Sequence, residues 1–235
     1  MMTRKKSTAQ EQAHAPKVQG EKKSFMNVIE TSQGHYFRFR EGDKKEGADI
    51  ITPESVIDIN DIAHALSNIC RFTGHTREFY SVAQHSVLCS YILPGEFGLE
   101  KLLHDAAEAY IGDMSTPLKS LFPDYIELEK SVSNRIADHF GLAHGYSSLP
   151  EVKFADTIIL ITEKRDLMPD LPHDPDMWQW VLDQGIYPVK PRIDVWSPEE
   201  SRLMFLQRYD EFIHPEKYPE LEAISKKTYP TKMEK

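Results

Sequence analysis

Residues 98–113 read Gly98-Leu-Glu-Lys-Leu-Leu-His104-Asp105-Ala-Ala-Glu108-Ala-Tyr-Ile-Gly112-Asp113. Leu99, Leu102, Leu103, Ala106, Ala107 and Ala109 make this an apolar helix, predicted from about Gly98 to Ile111 and ended by Gly112. His104 and Asp105 fall in its middle. Ionisable side chains in an apolar helix are costly unless they are paired or hold a metal, so a metal ion is the economical explanation of this pair.

The same helical period continues on both sides. Upstream, Asn60 or Asp61 is expected to cap a helix carrying Ile62, Ala65, Leu66 and Ile69 as far as Thr73-Gly74. Ser81 is expected to cap a second, with Val82, His85, Ser86, Cys89 and Ile92 on one face and Pro94-Gly95 as its stop. Downstream, Pro117 and Pro123 bracket a short helical turn, and Leu128, Val132, Ile136 and Phe140 mark a longer helix that stops at Gly141. A further helix follows Pro150 through Phe154, Ile158 and Ile161 and ends before Pro169. Ser197-Pro198-Glu199-Glu200 starts the last one, with Leu203, Leu206 and Phe212 as its apolar positions. The strand candidate is His35-Tyr-Phe-Arg-Phe-Arg40, which alternates aromatic and basic residues before a turn at Glu41-Gly42-Asp43. The fold class expected is therefore all-α in the main, with a small N-terminal β appendage.

Residues 1–24 are polar and lysine-rich without periodicity and read as a disordered basic tail. Residues 25–214 are expected to form one domain, and 215–235 a C-terminal tail. Prolines 169, 172, 175, 188, 191 and 198, with Trp178, Trp180 and Trp196, mark an irregular excursion, and Trp178 and Trp180 are candidates for a flap over the pocket.

The chain of 235 residues carries a formal charge of −9, but its first 23 residues carry +4, which leaves −13 on the remainder. So acidic a body is poorly suited to nucleic acid or anionic membrane. The longest aliphatic run, Ile158-Ile-Leu-Ile161, is far below the roughly 20 residues that span a bilayer. Cys70 and Cys89 lie in apolar periodic segments without C-x-x-C spacing, which suits buried thiols in a reducing cytoplasm.

Several residues keep His104-Asp105 company. His85 lies on the preceding helix, Glu108 is one turn beyond His104 on its face, Asp113 follows the helix end, and Asp156 interrupts Phe154, Ala155, Ile158, Ile159, Leu160 and Ile161. His173-Asp174 is a second His-Asp pair, but it sits among prolines with no helical context. His14 lies in the tail. His35, His139, His144 and His214 fall at strand edges, loops and helix ends where a hydrated or capping imidazole is the default, and His64 reads as a core or hydrogen-bonded helix residue.

His85, His104-Asp105 and Asp156 resemble the H…HD…D signature of the HD-domain metal-dependent phosphohydrolases, an all-helical superfamily. Glu108-Ala-Tyr-Ile-Gly-Asp113-Met-Ser-Thr116-Pro117-Leu-Lys119 is similar to the segment of bacterial 5′-deoxynucleotidases in which an E-x4-D pair precedes a T-P-x-K turn. Arg71-Phe72 resembles the arginine-aromatic pair that those enzymes carry ahead of the first metal histidine. The resemblance covers about residues 55–170, in order.

It implies an HD-domain helical bundle with one divalent ion (Mn²⁺, Co²⁺, Fe²⁺, Ni²⁺ or Zn²⁺) on His85, His104, Asp105 and Asp156. Glu108 and Asp113 would be the general base and acid; otherwise Glu108 is a surface or supporting carboxylate and Asp113 caps the Ser115-Thr116-Pro117 turn. Arg71, Phe72, His75, Arg77, Thr116 and Lys119 would bind substrate, although Arg71 also suits a pair with a surface acid and His75 a plain turn. The expected activity is removal of phosphate from deoxynucleoside 5′-monophosphates. Two alternatives stay open: release of triphosphate from a deoxynucleoside triphosphate, and a nucleotide sensor without turnover. A redox di-iron site would need His75 or His139 as extra ligands. The partner expected is a small nucleotide, with no nucleic acid and no membrane, and the resemblance leaves room for a homo-oligomer.

Overall fold

Asp58 and Ser81 each turn a side-chain oxygen onto a free backbone N–H and so start the first two helices. The computed structural model describes residues 27–39, 51–93, 95, 97–170 and 176–219. Helix α1 (Ile59–Asn68) begins where Asp58 accepts from the Asn60 N–H at 2.7 Å, two residues ahead of the cap expected from the sequence. Asp61, one of the two expected caps, is buried and used elsewhere. Helix α2 (Val82–Tyr91) begins at Ser81, whose oxygen accepts from the Gln84 N–H at 3.1 Å as expected. Between them, Arg71–Gly74 forms a separate 3-10 turn with Phe72 and Thr73 in left-handed backbone, φ 53° and 54°.

The predicted helix 98–111 is two pieces, α3 (Gly98–Leu103) and α4 (Glu108–Ile111). His104 and Ala107 both keep right-handed backbone, and the chain between the two pieces tightens. The Ala106 and Glu108 amides bond three residues back, to Leu103 and Asp105, at 2.9 and 3.0 Å. Two carbonyls here also take side chains: Tyr146 Oη donates to Leu103 O at 2.8 Å, alongside the Ala106 N–H, and His104 Nδ1 lies 2.8 Å from Lys101 O. No apolar pattern reports such a break, because the residue spacing barely changes across it.

Prolines and caps then set the remaining helices. They are α5 (Thr116–Lys119), α6 (Pro123–Phe140), α7 (Pro150–Leu167), α8 (Asp176–Asp183) and α9 (Pro198–Ile213). The α9 start is a full capping box between Ser197 and Glu200. Within α9 the fully buried apolar residue is Phe205, whereas Leu203, expected inward, is exposed. His64 is likewise exposed on α1 rather than in the core.

Helix α2 is the centre of the bundle, with α1, α3, α7 and α9 against it. Its residues from Val82 to Val87 are all buried. Ile62, Leu66, Val87, Leu102, Ile136 and Phe205 fill the core around it, each burial worth roughly 1.5–3 kcal/mol. Gly98 lets α3 approach α9, since a Cβ there would fall 2.3 Å from the Phe212 ring.

The β appendage is a two-stranded antiparallel ribbon, β1 (Val28–Glu30) and β2 (Tyr36–Arg38), paired Val28 to Arg38 and Glu30 to Tyr36. β1 was not expected; at three residues it is too short to show an alternation. Phe37 is fully buried and stacks on Tyr110 of α4 at 4.1 Å between ring centroids.

The proline- and tryptophan-rich excursion carries α8 and is then fastened to the bundle. Gln84 donates to Asp194 O at 2.7 Å and accepts from the Trp196 N–H at 2.9 Å. Asp166 accepts from Arg192 at 2.6 Å and the Ile193 N–H at 3.0 Å. Trp180 is exposed. The expected tail 1–24, the turn at Glu41-Gly42-Asp43, Pro94, the pair His173-Asp174 with prolines 172 and 175, and the C-terminal residues 220–235 lie outside the described residues. Among the described residues no helix is long and apolar enough to cross a membrane.

Candidate metal centre

Three helical segments converge where the predicted ligands lie: α2 supplies His85, the tightened turn after α3 supplies His104 and Asp105, and α7 supplies Asp156. The structure brings all four together. His85 Nε2 lies 3.3 Å from His104 Nε2, 3.3 Å from Asp156 Oδ1 and 3.7 Å from Asp105 Oδ2. His104 Nε2 lies 3.2 Å from Asp105 Oδ2 and 4.0 Å from Asp156 Oδ1. Both imidazoles are buried, and the carboxylates are partly open to solvent.

Each imidazole spends its other nitrogen elsewhere. His85 Nδ1 lies 2.6 Å from Glu163 Oε1, and His104 Nδ1 lies 2.8 Å from the Lys101 carbonyl. Both partners only accept, so each Nδ1 carries the proton and each Nε2 is left as a lone pair when the ring is neutral. Two such lone pairs facing at 3.3 Å repel unless one ring takes a second proton or a metal cation lies between or beside them. Histidine nitrogens with carboxylate oxygens are the donor set of a borderline divalent ion. The residues present therefore fit a metal, and the arrangement resembles the metal site of HD-domain proteins.

Cys89, one helical turn after His85, joins the cluster: its thiol lies 3.4 Å from His85 Nε2, and His85, Cys89, His104 and Asp156 offer donor atoms within 4.8 Å of one another. Burial pushes that thiol up to about 11. The sequence showed Cys89 as apolar filler; its i+4 spacing from His85 was the available signal. Cys70, in contrast, is only half-buried.

Glu163 was missed altogether. It is fully buried on α7, two turns after Asp156 and so on the same face, a spacing that could have found it. Burial works against its ionisation, but Arg71 and His85 outweigh that and hold the carboxyl below its usual range. Burial likewise opposes charge on Asp105 and Asp156, and the facing imidazoles hold both carboxyls well below the ordinary range.

Arg71 stands beside the cluster, 3.1 Å from Glu163 Oε2 and 3.6 Å from Asp105 Oδ2, with the Phe72 ring 5.5 Å from its guanidinium carbon. It is thus paired with buried Glu163 and with Asp105 of the cluster rather than with a surface acid. Its Nε is buried without a hydrogen-bond partner among the described residues. Glu108 on α4 is 5 % exposed, and its Oε2 is also without a partner. Burial, with Asp105 and Asp113 nearby, pushes the Glu108 carboxyl well up. Burial raises Asp113 too, with Arg71 opposing and Asp105 assisting.

The other predicted substrate residues sit further out. Lys119, at the end of α5, bonds Glu129 of α6, a partner the sequence reading missed. Thr116 and His75 are exposed. Arg77 is exposed too and lies 3.6 Å from Asp170. Left-handed backbone at Phe72 and Thr73 is strain of the kind that clusters at binding sites, here adjoining Arg71.

The chain is 43% identical over 188 residues to the uncharacterized protein YfdR of Escherichia coli (strain K12), a match that covers 79% of this chain and 96% of that protein. An uncharacterized protein of Rhodobacter capsulatus is 36% identical over 126 residues, covering 47% of this chain and 63% of its own length. No protein-family model matches the sequence.

Proposed function

The chain belongs to the family of the Escherichia coli protein YfdR, and for it we propose metal-dependent hydrolysis of a deoxynucleotide phosphate ester, with a deoxynucleoside 5′-monophosphate giving deoxynucleoside and orthophosphate. The observation that carries this reading is the pair of Nε2 atoms at 3.3 Å, with two carboxylates beside them and both Nδ1 atoms already engaged. A divalent ion supplied to His85, His104, Asp105 and Asp156 would acidify a bound water and offset phosphoryl charge.

The remaining steps belong to the protein's own groups. Arg71 holds phosphate oxygens, with its buried, unpaired Nε as an available donor. Burial and neighbouring carboxylates favour the protonated form of Glu108, which reverses the order of roles expected from the sequence: Glu108 hands a proton to the departing 5′-oxygen. Asp113 takes the proton that the attacking water gives up. Lys119, Thr116, Phe72, His75 and Arg77 would supply the remaining contacts to the substrate.

Charge favours the monophosphate. Arg71 already offsets Glu163 and Asp105, and Lys119 is bonded to Glu129, so little unspent positive charge remains for a triphosphate. The test is phosphate release from deoxy- and ribonucleoside mono- and triphosphates with Mn²⁺, Co²⁺, Ni²⁺, Zn²⁺ or Mg²⁺, with products separated by chromatography. Orthophosphate and deoxynucleoside from monophosphates are expected. Intact triphosphate as product would make the chain a triphosphohydrolase, and nucleotide binding without release in every metal would make it a sensor.

A further inference from the structure

We propose that Glu163 is a positioning residue that serves both halves of the centre at once, fixing the His85 ring for the metal and holding the Arg71 guanidinium for the phosphate. The inference rests on the reading above. Its basis is how one buried carboxylate divides its two oxygens: Oε1 lies 2.6 Å from His85 Nδ1, and Oε2 lies 3.1 Å from Arg71 Nη2. Glu163 and the His85 ring are both closed to solvent, so no water can replace either bond.

Both contacts need an acceptor. The imidazole Nδ1 must donate if Nε2 is to face the metal, and a guanidinium has only donors to give. A carboxylate has two acceptor oxygens and meets both demands, whereas an amide has one acceptor and one donor. Glu163→Gln must therefore present its NH₂ either to Arg71, donor against donor, or to His85 Nδ1, which moves the ring proton to Nε2 and blocks the metal. Carboxylates that orient ligating histidines in this way typically alter metal affinity about 10–100-fold. Here the same group is also tied to the arginine, so one substitution should be felt at two ligands.

The experiment uses the full chain, labelled with ¹⁵N at histidine and loaded with Zn²⁺. In the wild type the His85 ring should carry zinc on Nε2 and a slowly exchanging proton on Nδ1. Zinc on Nδ1, or a freely exchanging Nδ1 proton, would overturn the proposal without any variant having to fold. Competition with a chelator should then show Glu163→Gln binding Zn²⁺ about 10–100-fold more weakly, with Glu163→Asp recovering part of the loss. At saturating Zn²⁺, inorganic phosphate should still bind the Gln variant more weakly than the wild type, and Arg71→Ala should remove most of that difference. Unchanged zinc and phosphate affinities in a folded Glu163→Gln chain would overturn it. A chain that binds zinc as described but releases no phosphate from any nucleotide would refute the hydrolase reading and leave the role of Glu163 at His85 standing. A chain that takes up no metal would refute both.

Discussion

Among the described residues, two clusters of histidine and aspartate differ in what they leave unsatisfied, one built around buried Asp61 with a half-open His35 and one around the buried rings of His85 and His104. At the root of the β ribbon, Asp61 accepts from Ser32 Oγ at 2.8 Å, from the Gln33 N–H at 2.8 Å and from His35 Nδ1 at 2.9 Å. Both its oxygens are used, and the result is a clasp that fastens the β turn to α1. At the centre formed by α2, the turn after α3 and α7, two Nε2 atoms face each other at 3.3 Å, while Glu108 Oε2 and Arg71 Nε are buried without partners. A histidine bonded to a buried carboxylate is therefore not in itself a sign of chemistry. Leftover bonding capacity aimed at one point is.

The contrast breaks most sharply at His104. His104→Ala removes one of the facing nitrogens, and orthophosphate release should fall to the background of the assay, whereas His35→Ala should leave the rate intact. Next in size is Glu108→Gln. It keeps the four ligands, so bound metal should persist while kcat drops about 10²–10⁴-fold, the range for loss of a general acid or base. Metal lost along with activity would instead show Glu108 to be a ligand.

Arg71→Ala is expected to act on binding more than on turnover. Charge-assisted hydrogen bonds worth roughly 1.5–3 kcal/mol correspond to a rise in KM of about 10–100-fold, read from initial rates. Unchanged kinetics would mean that Arg71 serves only to neutralise Glu163 and Asp105.

The smallest effect belongs to the clasp and concerns stability alone. Burial opposes ionisation of Asp61, but its hydrogen bonds from Thr31, Ser32, His35 and Gln33 outweigh that and hold the carboxyl below its usual range. A lowered carboxyl favours the folded state above the unfolded value of about 3.9 and loses that contribution as pH falls through the lowered value. Asp61→Asn should therefore lower the melting temperature at pH 7 by a few degrees, about 1–2 kcal/mol, and narrow its gap to the wild type near pH 3. An equal gap at both values would contradict the assignment. Hydrolysis at neutral pH should not change.

Much of this contrast was legible in the sequence, and the parts that were not have physical reasons. The helix starts at Ser81 and Ser197 were readable because an N-cap is local chemistry, and the ends at Gly141 and before Pro169 were readable for the same reason. His85, His104, Asp105 and Asp156 stood out as polar residues in apolar helices. The break between α3 and α4 did not, because Tyr146, more than forty positions away in the chain, shares the Leu103 carbonyl with the Ala106 N–H, a contact that no local pattern reports. Asp58 displaced Asp61 as cap because Asp61 was claimed by the turn at Ser32 and Gln33, a long-range contact. Glu163 lies on the same face as Asp156, but nothing local sets it apart from the other charges near the end of α7, Lys164, Arg165 and Asp166. Its meaning comes only from the side chains it touches, His85 and Arg71 above all.

The measurement that tests the central claim most directly is metal stoichiometry, by equilibrium dialysis against Zn²⁺ of the wild type, His35→Ala and His104→Ala side by side. The account predicts one ion per chain in the first two and none in the third. No bound zinc in the wild type, or an equal loss in His35→Ala and His104→Ala, would contradict it.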